Sequence, residues 1–292
     1  MLGKTVLITG GANGIGKAVA QSYRQRGANV VIGDIQDNQG KAVVDEMNEE
    51  AGKKVALYVH CDVRHYKDNI RLFCAADKAF GHVDFAFLNA GIGNTCNTIF
   101  APLDDDRENR LIDVDLTAVV KGTKVALLHM AAHGGSIVVT ASVCSFMTPP
   151  PFSVYNAAKH GVVGWVRSLN YMPAVCNVRI NAICPAWIDT ELLADFGKRG
   201  EEPYWKVVDV LPRASMKTLI EAVDQCVQDE TKSGATLLVM PDGVKDHPQT
   251  AMFESMMDEV TLLAVDAYGP EMVARYKHEL AVALREYESM KE

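Results

Sequence analysis

The chain has 292 residues, of which 48% are hydrophobic and 23% are charged, and its formal net charge is −8. These values are typical of a water-soluble globular protein with a substantial core. The acidic balance argues against a nucleic-acid partner, because a surface that binds nucleic acid needs many basic residues to neutralise phosphates.

The seven cysteines are scattered along the chain and form no C-x-x-C pair. We therefore expect reduced thiols, no zinc or other metal site, and a cytoplasmic location, where thiols are kept reduced. The sequence runs from Met1 almost directly into an apolar strand, which leaves no room for a signal peptide. No later run approaches the roughly 18 apolar residues of a membrane span.

Short apolar runs alternate with longer segments of helical period along residues 1–248. Apolar runs without polar alternation are typical of strands that are covered on both faces. The pattern predicts a single α/β domain, a doubly wound parallel sheet of the Rossmann type with right-handed crossovers. The predicted strands contain Val6–Ile8, Val30–Ile32, Val55–Val59, Phe85–Leu88, Ile137–Val139, Val178–Ile180 and, as the closing strand, Thr236–Val239.

Residues 249–292 follow a different pattern and predict a helical C-terminal extension. Apolar residues at helical spacing form one stripe before Gly269-Pro270 and a second stripe after it. Because proline disrupts the interior of a helix, we expect two helices that are separated at this dipeptide. Their apolar faces can pack on their own subunit, form a dimer contact or cover a substrate cleft, and the sequence leaves these alternatives open.

A glycine-rich turn follows the first predicted strand and opens a helix, in the sequence Thr-Gly-Gly-Ala-Asn-Gly-Ile-Gly over residues 9–16. Gly10, Gly14 and Gly16 let the backbone turn sharply and approach a pyrophosphate at the helix N-terminus. Asp34 ends the second predicted strand, where a carboxylate can accept hydrogen bonds from an adenosine ribose and repel a 2′-phosphate. These features predict NAD rather than NADP, although Asp34 can also be read as a solvated turn residue.

Tyr155 and Lys159 are four residues apart on a predicted helix, so their side chains face one cavity. We expect the ammonium group to lower the pKa of the tyrosine from about 10. A phenolate within hydrogen-bond reach can then remove the hydroxyl proton of a secondary alcohol while hydride leaves the carbon. The alternative interpretation is a core tyrosine beside a solvated lysine.

The glycine turn together with Tyr-x-x-x-Lys resembles the classical short-chain dehydrogenases/reductases over about residues 3–245. The stretches around Tyr155 and Val178–Pro185 are most similar to the NAD-dependent 15-hydroxyprostaglandin dehydrogenase group. The resemblance implies that Tyr155 is the acid/base, that Lys159 bridges it to the nicotinamide ribose, and that Ser142 holds the substrate oxygen. It also implies a homodimer or homotetramer. The cofactor-binding residues predicted beside Tyr155 and Lys159 are Gly10, Asn13, Gly14, Ile15, Asp34, Ile35, Asp62, Val63, Asn89, Ile188 and Thr190.

Asp115 departs from this resemblance, because it stands where the family usually has the asparagine of its catalytic tetrad. If the role of this position rests on backbone geometry and an ordered water, Asp115 can substitute. If its side chain is ionised near Lys159, an ion pair strengthens the ammonium and weakens proton transfer. We include Asp115 in the catalytic group with Ser142, Tyr155 and Lys159.

The substrate pocket should be lined by loops that follow the fourth, fifth and sixth predicted strands, because ligands of open α/β sheets bind beyond the carboxyl ends of strands. These loops are apolar and have no cluster of Arg or Lys, which predicts a hydrophobic substrate of lipid, steroid, terpenoid or polyketide-like size. Each side chain can equally belong to the core. Within the substrate loop 186–214, residues 197–211 can form a mobile flap. The residues predicted to bind substrate are Ser142, Tyr155, Phe146, Phe152, Trp187, Leu192 and Phe196.

The predicted function is reversible, NAD-dependent oxidation of a secondary alcohol of a hydrophobic substrate to a ketone. The direction of the reaction, oxidation, is inferred from the predicted cofactor alone. One alternative is an NAD-binding homologue with altered chemistry, such as an isomerase or cyclase, which Asp115 motivates. The other is a non-catalytic dimeric binding protein that uses its C-terminal helices.

Overall fold

The computed structural model describes residues 1–93, 103–193, 204–249 and 258–291. Each predicted strand overlaps an observed one, although β3 begins one residue later than predicted. The strands are β1 (Thr5–Thr9), β2 (Asn29–Asp34), β3 (Ala56–His60), β4 (Phe85–Leu88), β5 (Gly135–Thr140), β6 (Val178–Pro185), β7 (Thr236–Met240) and β8 (Gly243–Asp246). They form a sheet in the order β3-β2-β1-β4-β5-β6-β7-β8, in which all neighbours except β7 and β8 are parallel. The doubly wound parallel sheet is confirmed.

Helices connect the parallel strands and cover the sheet. They are α1 (Gly14–Gln25), α2 (Asp37–Ala51), α3 (Tyr66–Phe80), α4 (Asp105–Ile112), α5 (Ala118–Met130), α6 (Ser153–Arg167), α7 (Met172–Cys176), α8 (Trp205–Val210), α9 (Met216–Gln228) and α10 (Glu259–Met290), with a π-helical turn, Asp113–Thr117, between α4 and α5. Within the described ranges, no helix combines the length and the apolar character needed to cross a membrane.

The core lies on both faces of the sheet. Leu7 of β1 belongs to a cluster with residues of α3, α5 and α6, whereas the next residue, Ile8, belongs to a cluster with residues of α1, α2 and α9. Both side chains are fully buried, and such burial contributes about 1.5–3 kcal/mol for each side chain. This two-sided burial explains why the apolar runs in the parallel strands show no polar alternation.

The order of the strands reverses around β1, which lies between β2 and β4. In such sheets a crevice opens beyond the carboxyl ends of the strands at the reversal point. The glycine turn follows β1 and Asn89 follows β4, so both lie at this crevice.

The sheet extends one strand beyond the predicted closing strand. β8 pairs antiparallel with β7, and only Pro241 and Asp242 separate the two strands. A two-residue loop joins antiparallel neighbours without a crossover helix. The prediction that Thr236–Val239 closes the sheet is therefore wrong. The short, half-polar β8 lacks the apolar signal of the other strands, and its two exposed charged residues suit a solvent-facing edge.

The C-terminal extension is a single helix where it is described, so the predicted break at Gly269-Pro270 is wrong. Pro270 lies inside α10 and removes one backbone hydrogen bond. This part of the helix faces solvent, where water can satisfy the freed carbonyl: residues 258–268 are all exposed. Farther along, Tyr287 is buried, and its hydroxyl lies 3.2 Å from Nδ1 of His129 on α5. The second half of α10 therefore packs on its own subunit.

Candidate active site

The glycine turn is built around glycines that no other residue can replace without strain. Gly10 and Gly14 have φ angles of +66° and +52°, in the left-handed region that favours glycine. A Cβ on Gly10 would lie 2.8 Å from Cα of Ala90, and a Cβ on Gly16 would overlap the carbonyl oxygen of Gly10. The turn is therefore packed against the end of β4 and presents bare backbone to the crevice.

The N-terminus of α1 is open to a ligand. Asn13 precedes the helix but does not cap it, because its Nδ2 donates to Oε1 of Gln36 at 3.2 Å. The first turn of α1, which contains Ile15, has no acidic residue. Uncapped N–H groups and the positive end of the helix dipole attract anions, so this turn fits the pyrophosphate of a dinucleotide.

Asp34 is held at the end of β2 by two backbone donors. Its Oδ2 accepts from the N–H of Ala12 and its Oδ1 from the N–H of Gln36, both at 3.0 Å. The side chain is buried, and the alternative of a solvated turn residue is therefore wrong. The adjacent Ile35 is 58% exposed and offers an apolar surface beside the carboxylate.

Asp62 and Val63 follow β3 on the same side of the crevice. Asp62 accepts a hydrogen bond of 2.6 Å from Nη2 of Arg64, and this contact lowers the pKa of its carboxyl. Val63 is buried. Asp62 is thus occupied by Arg64, and Val63 by packing. Their role in binding adenine stays a prediction.

Asn89 ties together the ends of three strands. Its Nδ2 donates to the carbonyl oxygen of Gly10 at 3.1 Å, and its Oδ1 accepts from the hydroxyl of Thr140 at 3.1 Å. Its backbone N–H donates to the hydroxyl of Thr9. Asn89 thus links the nucleotide end of the crevice, at β1, to the end of β5, where the predicted catalytic residues begin.

The loop after β6 returns to the glycine turn. The side chain of Thr190 lies 3.8 Å from the position that a Cβ on Gly14 would occupy. Ile188 is buried and packs in the cluster that contains Ile8. Of these two residues predicted for the nicotinamide side, Thr190 therefore lies at the crevice and Ile188 in the core.

Ser142, Tyr155 and Lys159 meet beyond the end of β5. Ser142 accepts from the N–H of Cys144 at 3.1 Å, and its hydroxyl is close enough to Tyr155 to lower the pKa of the phenol. On α6, Nζ of Lys159 lies 5.5 Å from the ring centroid of Tyr155 and donates to the carbonyl oxygen of Thr140 at 3.3 Å. Ser142 and Lys159 are buried, at 8% and 4% exposure, so a solvated lysine is excluded.

Burial raises the pKa of Tyr155 above its usual value. The carboxyl group of Asp115 and the thiol of Cys144 add to this rise, and the hydrogen bond from Ser142 opposes it. The expected lowering of this pKa by Lys159 is therefore wrong for the polypeptide itself. Desolvation disfavours a buried phenolate, and the nearby ammonium is balanced by a carboxylate.

That carboxylate belongs to Asp115, which lies on the π-helical turn between α4 and α5. It is fully buried; Oδ1 accepts from the N–H of Ile92 at 2.8 Å, and Oδ2 lies 3.5 Å from Nζ of Lys159. Burial raises the pKa of Asp115, while Lys159 and the Ile92 N–H oppose the rise. Turns of π-helix are frequent at functional sites, and here the turn brings Asp115 to the predicted catalytic group.

Aromatic rings form a wall beside Tyr155. The ring centroid of Phe152 lies 6.5 Å from that of Tyr155 and 5.9 Å from that of Trp187. Tyr204 and Trp205 each lie 5.7 Å from Phe152. Tyr204 and Trp205 fall within the predicted flap and are not among the predicted substrate residues. An aromatic pair in this polar stretch of sequence is the signal that could have identified them.

Phe146 makes its ring contacts elsewhere. It stacks on His247 at 4.0 Å between centroids and lies under the guanidinium of Arg167 at 5.6 Å. These residues line a cavity of about 690 Å³ along α6. Leu192 is 44% exposed, and Phe196, like residues 197–203 of the proposed flap, lies outside the described residues. The substrate roles of Phe146, Leu192 and Phe196 stay predictions.

Comparison with known proteins identifies the family. The sequence model of the family described as short chain dehydrogenase matches residues 4–201. Trans-4-hydroxycyclohexanecarboxylate dehydrogenase of Sinomonas cyclohexanicum is 36% identical over 201 residues, which cover 68% of this chain and 76% of that protein. 15-Hydroxyprostaglandin dehydrogenase (NAD(+)) of Mus musculus is 29% identical over 255 residues, covering 81% of this chain and 90% of that protein.

A solved structure agrees with these sequence relatives. The crystal structure of levodione reductase matches with a TM-score of 0.75 and 26% identity, covering 82% of this chain and 97% of that one. The family match spans more than half of the chain and includes the glycine turn, Ser142, Tyr155 and Lys159. The chain therefore belongs to the short-chain dehydrogenase family of oxidoreductases.

Proposed function

We propose that the protein is an NAD-dependent dehydrogenase that reversibly oxidises a secondary alcohol of a hydrophobic substrate to a ketone. The observation that carries this proposal is the meeting of buried Ser142 and Lys159 with half-buried Tyr155 at the end of β5. An uncapped helix N-terminus and a bare glycine turn lie on the same edge of the sheet. This combination suits removal of a proton and a hydride from one carbinol group.

The bound nicotinamide supplies the hydride acceptor. Tyr155, as phenolate, takes the proton of the substrate hydroxyl, and in the reverse direction its hydroxyl returns that proton to the ketone oxygen. Ser142 hydrogen-bonds the same oxygen and needs no nucleophilic activation. Lys159 holds positive charge beside the phenol, and its position is set by Asp115 and by the carbonyl oxygen of Thr140.

NAD rather than NADP is favoured by Asp34. A 2′-phosphate on the adenosine ribose would face a buried carboxylate that two backbone N–H groups hold in place, and like charges repel. We expect the wild type to bind NAD more tightly than NADP, and Asp34→Ser to narrow the difference. The matched control is Asp45→Asn, which removes the same charge at an exposed position of α2. Tighter binding of NADP by the wild type in calorimetry would contradict this part of the proposal.

A ring-bearing substrate is favoured by the aromatic wall of Phe152, Trp187, Tyr204 and Trp205. Aromatic side chains bury large apolar areas and prefer offset or edge contacts with other rings. The name of the relative from Sinomonas cyclohexanicum specifies an alcohol on a cyclohexane ring. We therefore propose alicyclic or aromatic-ring-bearing secondary alcohols as the first compounds to test, with open-chain lipid alcohols for comparison.

The direct test is to follow the absorbance of reduced nicotinamide with NAD and a panel of hydrophobic secondary alcohols, and with the corresponding ketones in reverse. Tyr155→Phe should abolish turnover and leave NAD affinity unchanged, whereas Tyr66→Phe, on the surface of α3, should behave as the wild type. Undiminished turnover by Tyr155→Phe would contradict the acid/base assignment. Nucleotide binding without redox activity on any compound would favour an isomerase or cyclase, for which the Asp115–Lys159 ion pair is the motivating observation.

We also propose a homo-oligomer, a homodimer or homotetramer, in which residues 258–268 contact a second copy. This segment has three acidic residues and no Lys or Arg, which disfavours anionic membranes and nucleic acids as partners. Large apolar side chains of a helix normally pack against another element. Here each one is at least 48% exposed: Val260, Leu262, Leu263, Val265 and Tyr268.

Light scattering tests this contact. The double change Leu262→Glu/Leu263→Glu should lower the measured molecular mass, whereas Leu2→Glu, at an exposed leucine beside Gly27, should not. An unchanged mass for the double variant would contradict the contact.

The described cysteines are all free thiols, which supports the proposal of a reducing, cytoplasmic environment.

A further inference from the structure

Asp115 is a fully buried carboxylate with one satisfied oxygen. Oδ1 accepts the Ile92 N–H at 2.8 Å, but Oδ2 has no hydrogen-bond partner among the described residues. Its nearest cation is Nζ of Lys159 at 3.5 Å, which is longer than a good charge-assisted hydrogen bond. Oδ2 is therefore directed at the ammonium group and has no competing donor.

The groups that act on Tyr155 come from several elements. Lys159 is on the same helix, Asp115 on the π-helical turn, Cys144 on the turn after β5, and Cys184 on β6. Tyr204 reaches the same region through Phe152. Both thiols are held neutral by burial, which raises their pKa values. The charges that decide the potential at Tyr155 are therefore those of Lys159 and Asp115.

We propose that Asp115 is a positioning residue that fixes the Lys159 ammonium and thereby sets the pH range of alcohol oxidation toward the alkaline side. This inference rests on the proposed function. Oxidation needs the phenolate of Tyr155. A carboxylate behind Lys159 offsets the ammonium and disfavours that phenolate, so a higher pH is needed to form it.

The size of the effect follows from the spacing. Oδ2 lies 3.5 Å from Nζ, and Nζ lies 5.5 Å from the Tyr155 ring centroid. Across such separations in a protein interior, one added negative charge shifts a pKa by on the order of one unit. Asp115→Asn keeps the shape of the side chain and removes its charge. The rising limb of its pH profile, which reports formation of the Tyr155 phenolate, should therefore lie about one pH unit below that of the wild type.

The test compares pH profiles of kcat/KM for wild type, Asp115→Asn and Asp113→Asn between about pH 6 and pH 11. Asp113 is on the same π-helical turn but is only partly buried, and its charge acts on Arg64. At a pH below the wild-type limb, Asp115→Asn should be about ten-fold faster relative to its own plateau. The Asp113→Asn profile should superpose on that of the wild type. A loss that is equal at every pH, or an unmoved limb, would overturn the proposal.

A second measurement does not depend on turnover. Tyrosines labelled at Cζ report their ionisation by NMR, and Tyr155→Phe assigns the signal. The pKa of Tyr155 should be lower in Asp115→Asn than in the wild type; equal values overturn the proposal. Should Asp115→Asn not fold, Asp115→Ser removes the same charge and should also lower the pKa of Tyr155. A wild-type Tyr155 that ionises at or below about 10 overturns the inference with either variant. Failure of the wild type to oxidise any alcohol would instead remove the proposed function, and the titration would still stand.

Discussion

Replacing Gly10 with alanine tests how rigidly the nucleotide end of the site is built. A φ of +66° costs a residue that carries a Cβ about 1–2 kcal/mol. The new Cβ would also lie 2.8 Å from Cα and 3.1 Å from N of Ala90. Backbone atoms cannot rotate away, so the ends of β1 and β4 would have to separate. This overpacking costs about 1–3 kcal/mol more. We expect Gly10→Ala to lower the free energy of unfolding by about 3 kcal/mol.

Two other glycines separate these contributions. Gly14→Ala has the left-handed φ, but its Cβ would meet only Thr190 at an ordinary 3.8 Å, so it should cost about 1–2 kcal/mol. Gly164 lies inside α6, and no atom beyond its chain neighbours and its own helix backbone lies within 4 Å of its Cβ position. Gly164→Ala should therefore stabilise by about 0.5–1 kcal/mol. Urea unfolding without nucleotide measures all three. If Gly10→Ala is no less stable than Gly14→Ala, the approach of Gly10 to Ala90 is not rigid and the reasoning fails.

Three further predictions concern stability and thiol reactivity. Arg179→Met should lower the free energy of unfolding by about 3 kcal/mol, because the guanidinium donates to four backbone carbonyls around the end of α9. Tyr287→Phe should cost about 1 kcal/mol, because it removes the hydroxyl that faces buried His129; an unchanged urea midpoint in either variant would contradict its contact. Burial raises the pKa of Cys184 and of Cys226 to about 12. At about pH 8 both should remain thiols and resist an aromatic disulfide reagent until the protein unfolds, and rapid labelling of either in the folded protein would count against this.

The nucleotide half of the site could be predicted because its signals are local. A strand, a glycine turn and a helix specify their own backbone, and the structure gives Gly10 and Gly14 the left-handed conformation that the turn needs. The substrate half could not be predicted as well. Phe146 was assigned by its position after β5, but the fold turns its ring toward His247, which is a hundred residues away in sequence and reaches this place through the antiparallel β8.

The parallel sheet, the place of the crevice and the identity of its polar residues follow from local patterns along the chain. Apolar runs, glycine spacing and the i, i+4 relation of Tyr155 and Lys159 depend only on neighbours along the chain. The electrostatics of that pair depend instead on contacts between segments that are distant in sequence. The pKa of Tyr155 depends on desolvation and on the charge of Asp115, which reaches Lys159 from a separate π-helical turn. Because burial and long-range contacts outweigh the nearby ammonium, the spacing alone predicted the wrong direction of the shift.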